Sequence, residues 1–126
     1  MTQSFIESAL EAGKGILRLV PTWVPRALST PGRRLRLHHA DLYPYGAVHG
    51  GISERWFASA TKADNGPLTR ADEGLSYIEH NGQRVTLAEA LALSRKDLLG
   101  EAAEWLVLTK FFDNYFVLPL HIHQDD

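Results

Sequence analysis

The chain contains no cysteine among its 126 residues. Disulfides, thiolate metal ligands and cysteine nucleophiles are therefore excluded together. The absence of cysteine agrees with a reducing compartment, and we expect the protein to be cytoplasmic. The first twenty residues hold two glutamates and two glycines, without a cationic start followed by an apolar run, so we do not expect a secretory signal there.

An excess of positive charge is also missing. Thirteen Lys and Arg residues stand against fifteen Asp and Glu residues, which gives a formal charge of −2 with histidine neutral. The chain therefore has no overall basic field that would attract nucleic acid. No stretch approaches the eighteen or so consecutive apolar residues of a membrane span. We expect neither nucleic acid nor a membrane as a partner.

The composition that remains is ordinary for a globular protein, with 44% hydrophobic and 22% charged residues. The length suits a single domain over residues 1–126 and is too short for two domains with separate cores. A folded chain of this size buries about two thirds of its unfolded surface, provided that all the strands it needs are present.

Two capping boxes predict helices. Ser4 and Thr86 are each followed by a glutamate three residues later, and apolar residues continue at helical spacing. We expect a short first helix that ends near Gly13. A second helix is expected over about 87–98, closed near Gly100.

Most of the remaining pattern predicts strands. Asn81-Gly82, between two runs of strand-forming residues, is the strongest hairpin signal in the chain. Three prolines within 21–32 predict an irregular, non-helical passage. Strands are expected at 33–38, 53–59, 75–79, 83–86, 105–112 and 116–123. The predicted fold class is therefore mainly β with small helical elements.

The last predicted strand carries two histidines. Because side chains alternate between the two faces of a strand, His121 and His123 point the same way. They lie about 6.6 Å apart along the strand, a distance that two converging imidazoles can close on one ion. Two imidazoles suit zinc or another divalent metal. The spacing alone fits an incidental pair of histidines as well as it fits a metal site.

Five short blocks of sequence carry a family resemblance when they are taken in order. They are a Glu-x-Trp-x-x-Ser block at 54–59, Asn65-Gly66-Pro67, Leu98-Leu99-Gly100, Leu106 to Asp113, and Leu118 to Asp126. The last two blocks are the most specific. Together the blocks resemble the N-terminal part of a class I mannose-6-phosphate isomerase, a metal-dependent cupin. The resemblance implies part of a cupin jelly roll, and a domain that is the N-terminal portion of a longer isomerase.

The resemblance also implies a site. In the family, a Leu-x-x-Lys-x-x-Asp strand is followed by Gln-x-His-Pro-Asp, which supplies two ligands to the catalytic metal. His121 matches the ligand Gln, His123 the ligand His, and Lys110 the strand lysine. The implied cofactor is a divalent metal, with zinc as the first choice. The chain departs from the family where His121 replaces Gln and Gln124 replaces Pro, and the family takes its other metal ligands from strands downstream of these residues.

The implied activity is the interconversion of an aldose phosphate and a ketose phosphate, of the mannose 6-phosphate and fructose 6-phosphate type. The metal would polarise oxygens while a base moves a proton between adjacent carbons through an enediol. Lys110 would steady negative charge, and the alternative for Lys110 is a pairing with Asp113. Two other functions stay open: a non-catalytic cupin that binds metal or sugar, and an inactive truncated fragment with unpaired strand edges.

Other residues have relevant chemistry but no spacing that brings them to the histidine pair. Those that could ligate a metal are His38, His39, His49 and Glu54. Glu54 is also a candidate acid, base or ion-pair partner of Arg55. The arginines at 33, 34 and 36 either meet a phosphate or form a solvated strand face. Three aromatic residues are predicted to lie in the core: Trp56, Phe111 and Phe112.

Overall fold

A computed structural model describes residues 2–20, 22–26, 32, 34, 53–67, 69–118 and 120. These residues form two small antiparallel sheets and three short helices, so the mainly β prediction is confirmed. The helices are α1 (Thr2–Ala12), α2 (Leu87–Leu93) and α3 (Arg95–Leu99). The strands are β1 (Leu19–Val20), β2 (Thr22–Val24), β3 (Glu54–Phe57), β4 (Tyr77–His80), β5 (Gln83–Thr86) and β6 (Thr109–Phe112).

The six strands divide between a sheet of order β1-β4-β5 and a sheet of order β2-β3-β6. In the second sheet β3 is central and pairs antiparallel with both neighbours. Glu54 lies opposite Phe112 of β6, and Trp56 lies opposite Lys110. Because cross-strand partners share a face, Glu54, Trp56 and Lys110 project from the same side of this sheet.

The predicted hairpin at Asn81-Gly82 is confirmed. Strands β4 and β5 pair antiparallel, with His80 opposite Gln83 at the turn. Both turn residues have positive φ, 49° at Asn81 and 74° at Gly82. A two-residue turn of the primed type requires this conformation, which asparagine and glycine adopt at little cost. On β4, partial burial and a hydrogen bond from its hydroxyl to Asp72 raise the pKa of Tyr77.

The capping box at Thr86 is also confirmed. The Thr86 hydroxyl accepts a hydrogen bond from the Glu89 backbone N–H at 3.1 Å, and the Thr86 backbone N–H donates to Glu89 Oε2 at 3.0 Å. The hydrogen bonds from the Thr86 hydroxyl and backbone lower the pKa of Glu89. The single helix predicted over 87–98 is interrupted at Ser94, after which α3 runs to Leu99 and is capped by Gly100.

Helix α1 covers the first sheet. The predicted capping box at Ser4 is wrong, because the helix already begins at Thr2 and Ser4 lies inside its first turn. The helix ends at Ala12 and a turn begins at Gly13, as predicted. The apolar residues of α1 form the larger core together with β4 and α2: Phe5, Ile6, Ala9, Ile78, Leu87 and Ala90. A smaller core contains Val24, Trp56 and Ala63 on the second sheet.

Three predicted segments differ from the structure. The passage at 21–32 contains strand β2, because pairing with β3 imposes an extended conformation on the residues just before Pro25. The strand predicted at 105–112 is shortened to Thr109–Phe112, the stretch that pairs with β3. Of the strand predicted at 116–123, the described residues 116–118 and 120 are not in a strand, since none of the described strands pairs with them.

The segment from Leu106 to Leu120 exposes an unusual amount of apolar surface. Two aromatic residues predicted to be core, Phe111 and Phe112, are about half exposed, so that prediction is wrong for both. Strand β6 is an edge strand of its sheet, and no described strand covers its outer edge. The exposed apolar residues of the segment are Leu106, Val107, Leu108, Phe111, Phe112, Tyr115, Phe116, Val117, Leu118 and Leu120.

Candidate functional site

A buried carboxylate lies at the centre of the second sheet. Glu54 is the first residue of β3, and its side chain is only 6% exposed. Burial of a carboxylate is costly unless hydrogen-bond donors and opposite charge compensate for the lost water. The structure supplies three donors: Arg26 Nε lies 3.0 Å from Glu54 Oε1, while Trp56 Nε1 and Lys110 Nζ lie 2.7 and 3.4 Å from Oε2.

The position of each donor follows from the local backbone. Trp56 lies two residues beyond Glu54 on the same strand, so both side chains occupy one face. Lys110 arrives from the neighbouring strand because the register places it opposite Trp56. Arg26 follows β2, whose Val24 lies opposite Glu54. We refer to Arg26, Glu54, Trp56 and Lys110 as the Glu54 cluster.

The Arg26 guanidinium also anchors the loop after β3. Its Nη1 donates to the Asp64 carbonyl oxygen at 2.9 Å and to Asn65 Oδ1 at 3.1 Å. The Asn65 amide in turn donates to the buried carboxylate of Glu73. Arg26 therefore ties the start of the Asn65-Gly66-Pro67 block to the central strand.

The indole of Trp56 packs against both cations of the cluster. The Arg26 guanidinium carbon and Lys110 Nζ each lie 5.6 Å from the Trp56 ring centroid. Lys110 Nζ also lies 4.6 Å from the centroid of Phe112. These distances are within the range of cation–π attraction. The aromatic contacts and the carboxylate together fix both cations in position.

Lys110 forms an ion pair, but with a partner that the sequence analysis did not name. Its ion pair is with Glu54, and the alternative pairing with Asp113 is wrong. Residues three apart on a strand project to opposite faces, so Lys110 and Asp113 diverge. Asp113 is buried and instead receives the Arg34 side chain, with 3.5 Å between Arg34 Nε and Asp113 Oδ1. Arg34 thus meets a carboxylate, while Arg33 and Arg36 lie outside the described residues.

The predicted metal ligands His121 and His123 lie outside the described residues, as do His38, His39 and His49. Glu54 is described, and its ion pairs run to Arg26 and Lys110. Arg55 belongs to the opposite face of β3, where its guanidinium lies over the rings of Trp23 and Phe57. Within the described part of the chain, no group of three or more His, Cys, Asp or Glu side chains could hold a metal ion.

Arg26 is the member of the cluster that no sequence pattern indicated. It follows Pro25 in a passage predicted to be irregular, and no spacing relates it to Glu54. The Glu54 and Trp56 pair carried a weak signal, since an acidic residue and an indole two apart on a strand share a face. The contact between Glu54 and the third donor, Lys110, could be predicted only with knowledge of the register between β3 and β6.

Comparisons with protein-family models, with curated proteins and with solved structures find no match to this chain. Among the described residues, no helix has both the length and the apolar character that crossing a membrane requires.

Proposed function

We propose that this chain is the metal-binding part of a cupin-type aldose–ketose isomerase that acts on a sugar phosphate of the mannose 6-phosphate and fructose 6-phosphate type. The observation that carries the proposal is the placement of Lys110. It is a partly buried cation, held by the buried carboxylate of Glu54, on the strand that precedes His121 and His123 in the sequence. The order of the five sequence blocks supports the same family.

His121 and His123 are the residues that would hold the metal. Their donor chemistry, two imidazoles, suits a divalent ion such as zinc. When bound, such an ion supplies Lewis-acid polarisation of the substrate's carbonyl and hydroxyl oxygens. Because both histidines lie outside the described residues, the proposed metal site rests on this donor chemistry and on the sequence resemblance.

Lys110 supplies a fixed positive charge for the anionic substrate in this proposal. A sugar phosphate carries negative charge on its phosphate group while the proton moves between carbons at the other end of the molecule. A cation already held in place attracts this charge without reorganising during the reaction. Glu54 accepts from three donors, and its proposed role is to position the Lys110 ammonium.

The proposal is tested by measuring turnover with and without metal. We expect the full chain loaded with zinc to convert mannose 6-phosphate to fructose 6-phosphate, because the metal polarises the reacting oxygens. A chelator should remove this activity, and added zinc should restore it. Saturation with zinc but no turnover would contradict the isomerase proposal and favour the alternative of a non-catalytic metal-binding cupin.

A zinc-uptake measurement tests the metal ligands separately. We expect His123→Ala to abolish stoichiometric zinc uptake, measured by elemental analysis after dialysis, because one of two ligands is lost. His80→Ala is the matched control, since His80 lies on β4 and its Nε2 is 2.9 Å from the Ser8 hydroxyl. Unchanged zinc uptake by His123→Ala would remove the proposed metal site.

A further inference from the structure

The Glu54 cluster contains more positive than negative charge. Two cations, Arg26 and Lys110, share the single carboxylate of Glu54, so the cluster carries a formal charge of +1. Among the described residues, Glu54 is the only carboxylate within ion-pair distance of either cation. The side chain of Glu54 is 6% exposed, whereas those of Arg26 and Lys110 are 22% and 25% exposed. The accessible part of the cluster is therefore cationic.

Both cations retain hydrogen-bond donors for a ligand. Arg26 uses Nε and Nη1 for its hydrogen bonds to Glu54, Asp64 and Asn65, and its Nη2 has no acceptor among the described residues. Lys110 makes one hydrogen bond, at 3.4 Å, with an ammonium that carries three protons. A planar guanidinium and an ammonium beside it are the donors that proteins use for phosphate.

A second ion pair in the chain shows what is unusual about the Glu54 cluster. Arg84 pairs with Glu79 at 3.0 Å and lies 4.3 Å from the centroid of Tyr77. It thus has the same kinds of contact, a carboxylate and an aromatic ring. The Arg84 pair is neutral, however, because one cation meets one carboxylate, and both side chains are about half exposed.

We propose that Arg26 and Lys110 together bind one phosphate group, and that Glu54 holds the two cations in place for it. The inference rests on the proposed function, because it assigns the phosphate of the sugar phosphate to this face of the second sheet. Arg26 is thereby a substrate-binding residue that determines specificity for phosphorylated over neutral sugars. The ligand chemistry is a phosphate dianion, which inorganic phosphate and a sugar phosphate share.

Binding of inorganic phosphate to the full chain tests the proposal without turnover. The titration is followed by calorimetry at low ionic strength with a chelator present, so that no metal contributes. We expect one phosphate per chain, with affinity that falls as salt is added because ions screen the attraction. Mannose 6-phosphate should compete for the same site, and unphosphorylated mannose should not.

Substitutions of Arg26 and Lys110 test whether these two cations form the phosphate site. Arg26→Gln and Lys110→Gln should each weaken phosphate binding at least about tenfold, which corresponds to about 1.4 kcal/mol. Arg26→Lys keeps the charge but loses the planar donors, and we expect a smaller loss. Arg84→Gln is the matched control and should leave the affinity unchanged. Tryptophan emission of each variant shows whether the fold is retained.

The outcomes separate this inference from the proposed function. Absence of saturable phosphate binding, or equal affinity in Arg26→Gln, Lys110→Gln and the parent chain, overturns the two-cation site even if isomerisation is observed. Phosphate binding that the two variants lose, without zinc-dependent isomerisation, upholds the site and removes the proposed activity.

Discussion

At the scale of single residues, Glu54 shows how a charge can be buried in a small sheet. Its carboxylate leaves water but gains two cations and an indole N–H. The carboxylate can be buried as long as every partner is present, because removing one partner leaves an uncompensated charge. The free energy of unfolding should therefore depend strongly on the carboxylate.

We expect Glu54→Gln to destabilise the fold by about 3 kcal/mol, because Arg26 and Lys110 would lose their shared counter-charge in a largely buried site. The amide keeps an acceptor for the Trp56 indole and nearly the same shape. The free energy is measured by urea unfolding followed through tryptophan emission. Glu79→Gln breaks the exposed pair with Arg84 and should cost less than about 1 kcal/mol. Equal losses in the two variants would show that burial adds nothing to the Glu54 ion pairs.

That the Lys110 side chain is paired was partly predictable from its neighbours in the chain. A lysine in an apolar run is costly to bury unless it is paired, and the sequence offered one pairing for Lys110, with Asp113. Its partner was not predictable, since Glu54 is distant in sequence and meets Lys110 only through the register of β3 and β6. The ligand pair His121 and His123 stays a prediction.

At the scale of elements, the turn that precedes β4 is pressed against the Glu54 cluster. Gly74 has φ +87°, and a Cβ placed there would lie 2.8 Å from the Trp56 ring and 2.8 Å from the Ala63 backbone nitrogen. A side chain at this position is disfavoured both by the backbone conformation and by lack of space. The turn therefore packs closely against the Trp56 indole.

We expect Gly74→Ala to lower the free energy of unfolding by about 3 kcal/mol, combining backbone strain with displacement of packed neighbours. Gly66→Ala separates the two effects, because Gly66 also has positive φ, +68°, but a methyl group there would have nothing within 4 Å. That control should lose only about 1 kcal/mol. Thermal or urea unfolding of both variants checks the difference, and a loss at Gly66 as large as at Gly74 would show that close packing against Trp56 contributes nothing.

At the scale of the whole molecule, most of the exposed large apolar side chains among the described residues lie in the segment from Leu106 to Leu120. Val117 is 92% exposed, and the other exposed apolar residues of the segment lie on β6 and on both sides of it in the sequence. Exposed apolar side chains next to a strand edge that none of the described strands covers promote association between molecules. This surface should therefore dominate the behaviour of the isolated chain at high concentration.

We expect Leu106→Lys and Val117→Lys to reduce self-association of the isolated chain and its binding of a hydrophobic dye, because each replaces an exposed apolar side chain with a charge. Their free energies of unfolding should change by no more than about 0.5 kcal/mol. Ile16→Lys, at an exposed position outside the segment, should leave association unchanged. Sedimentation across a concentration series measures this, and a similar reduction by Ile16→Lys would indicate a general charge effect.

The sequence by itself determined two local features of this protein, a hairpin and a helix cap. The Asn81-Gly82 hairpin and the Thr86 cap depend on the conformations and hydrogen bonds of neighbouring residues, so the residue types are sufficient to predict them. Only the tertiary structure decided that β2 forms within a proline-rich passage and that Arg26 and Lys110 meet at Glu54. Strand pairing joins residues that are far apart in the chain, and its register depends on the whole sheet, which no local pattern records.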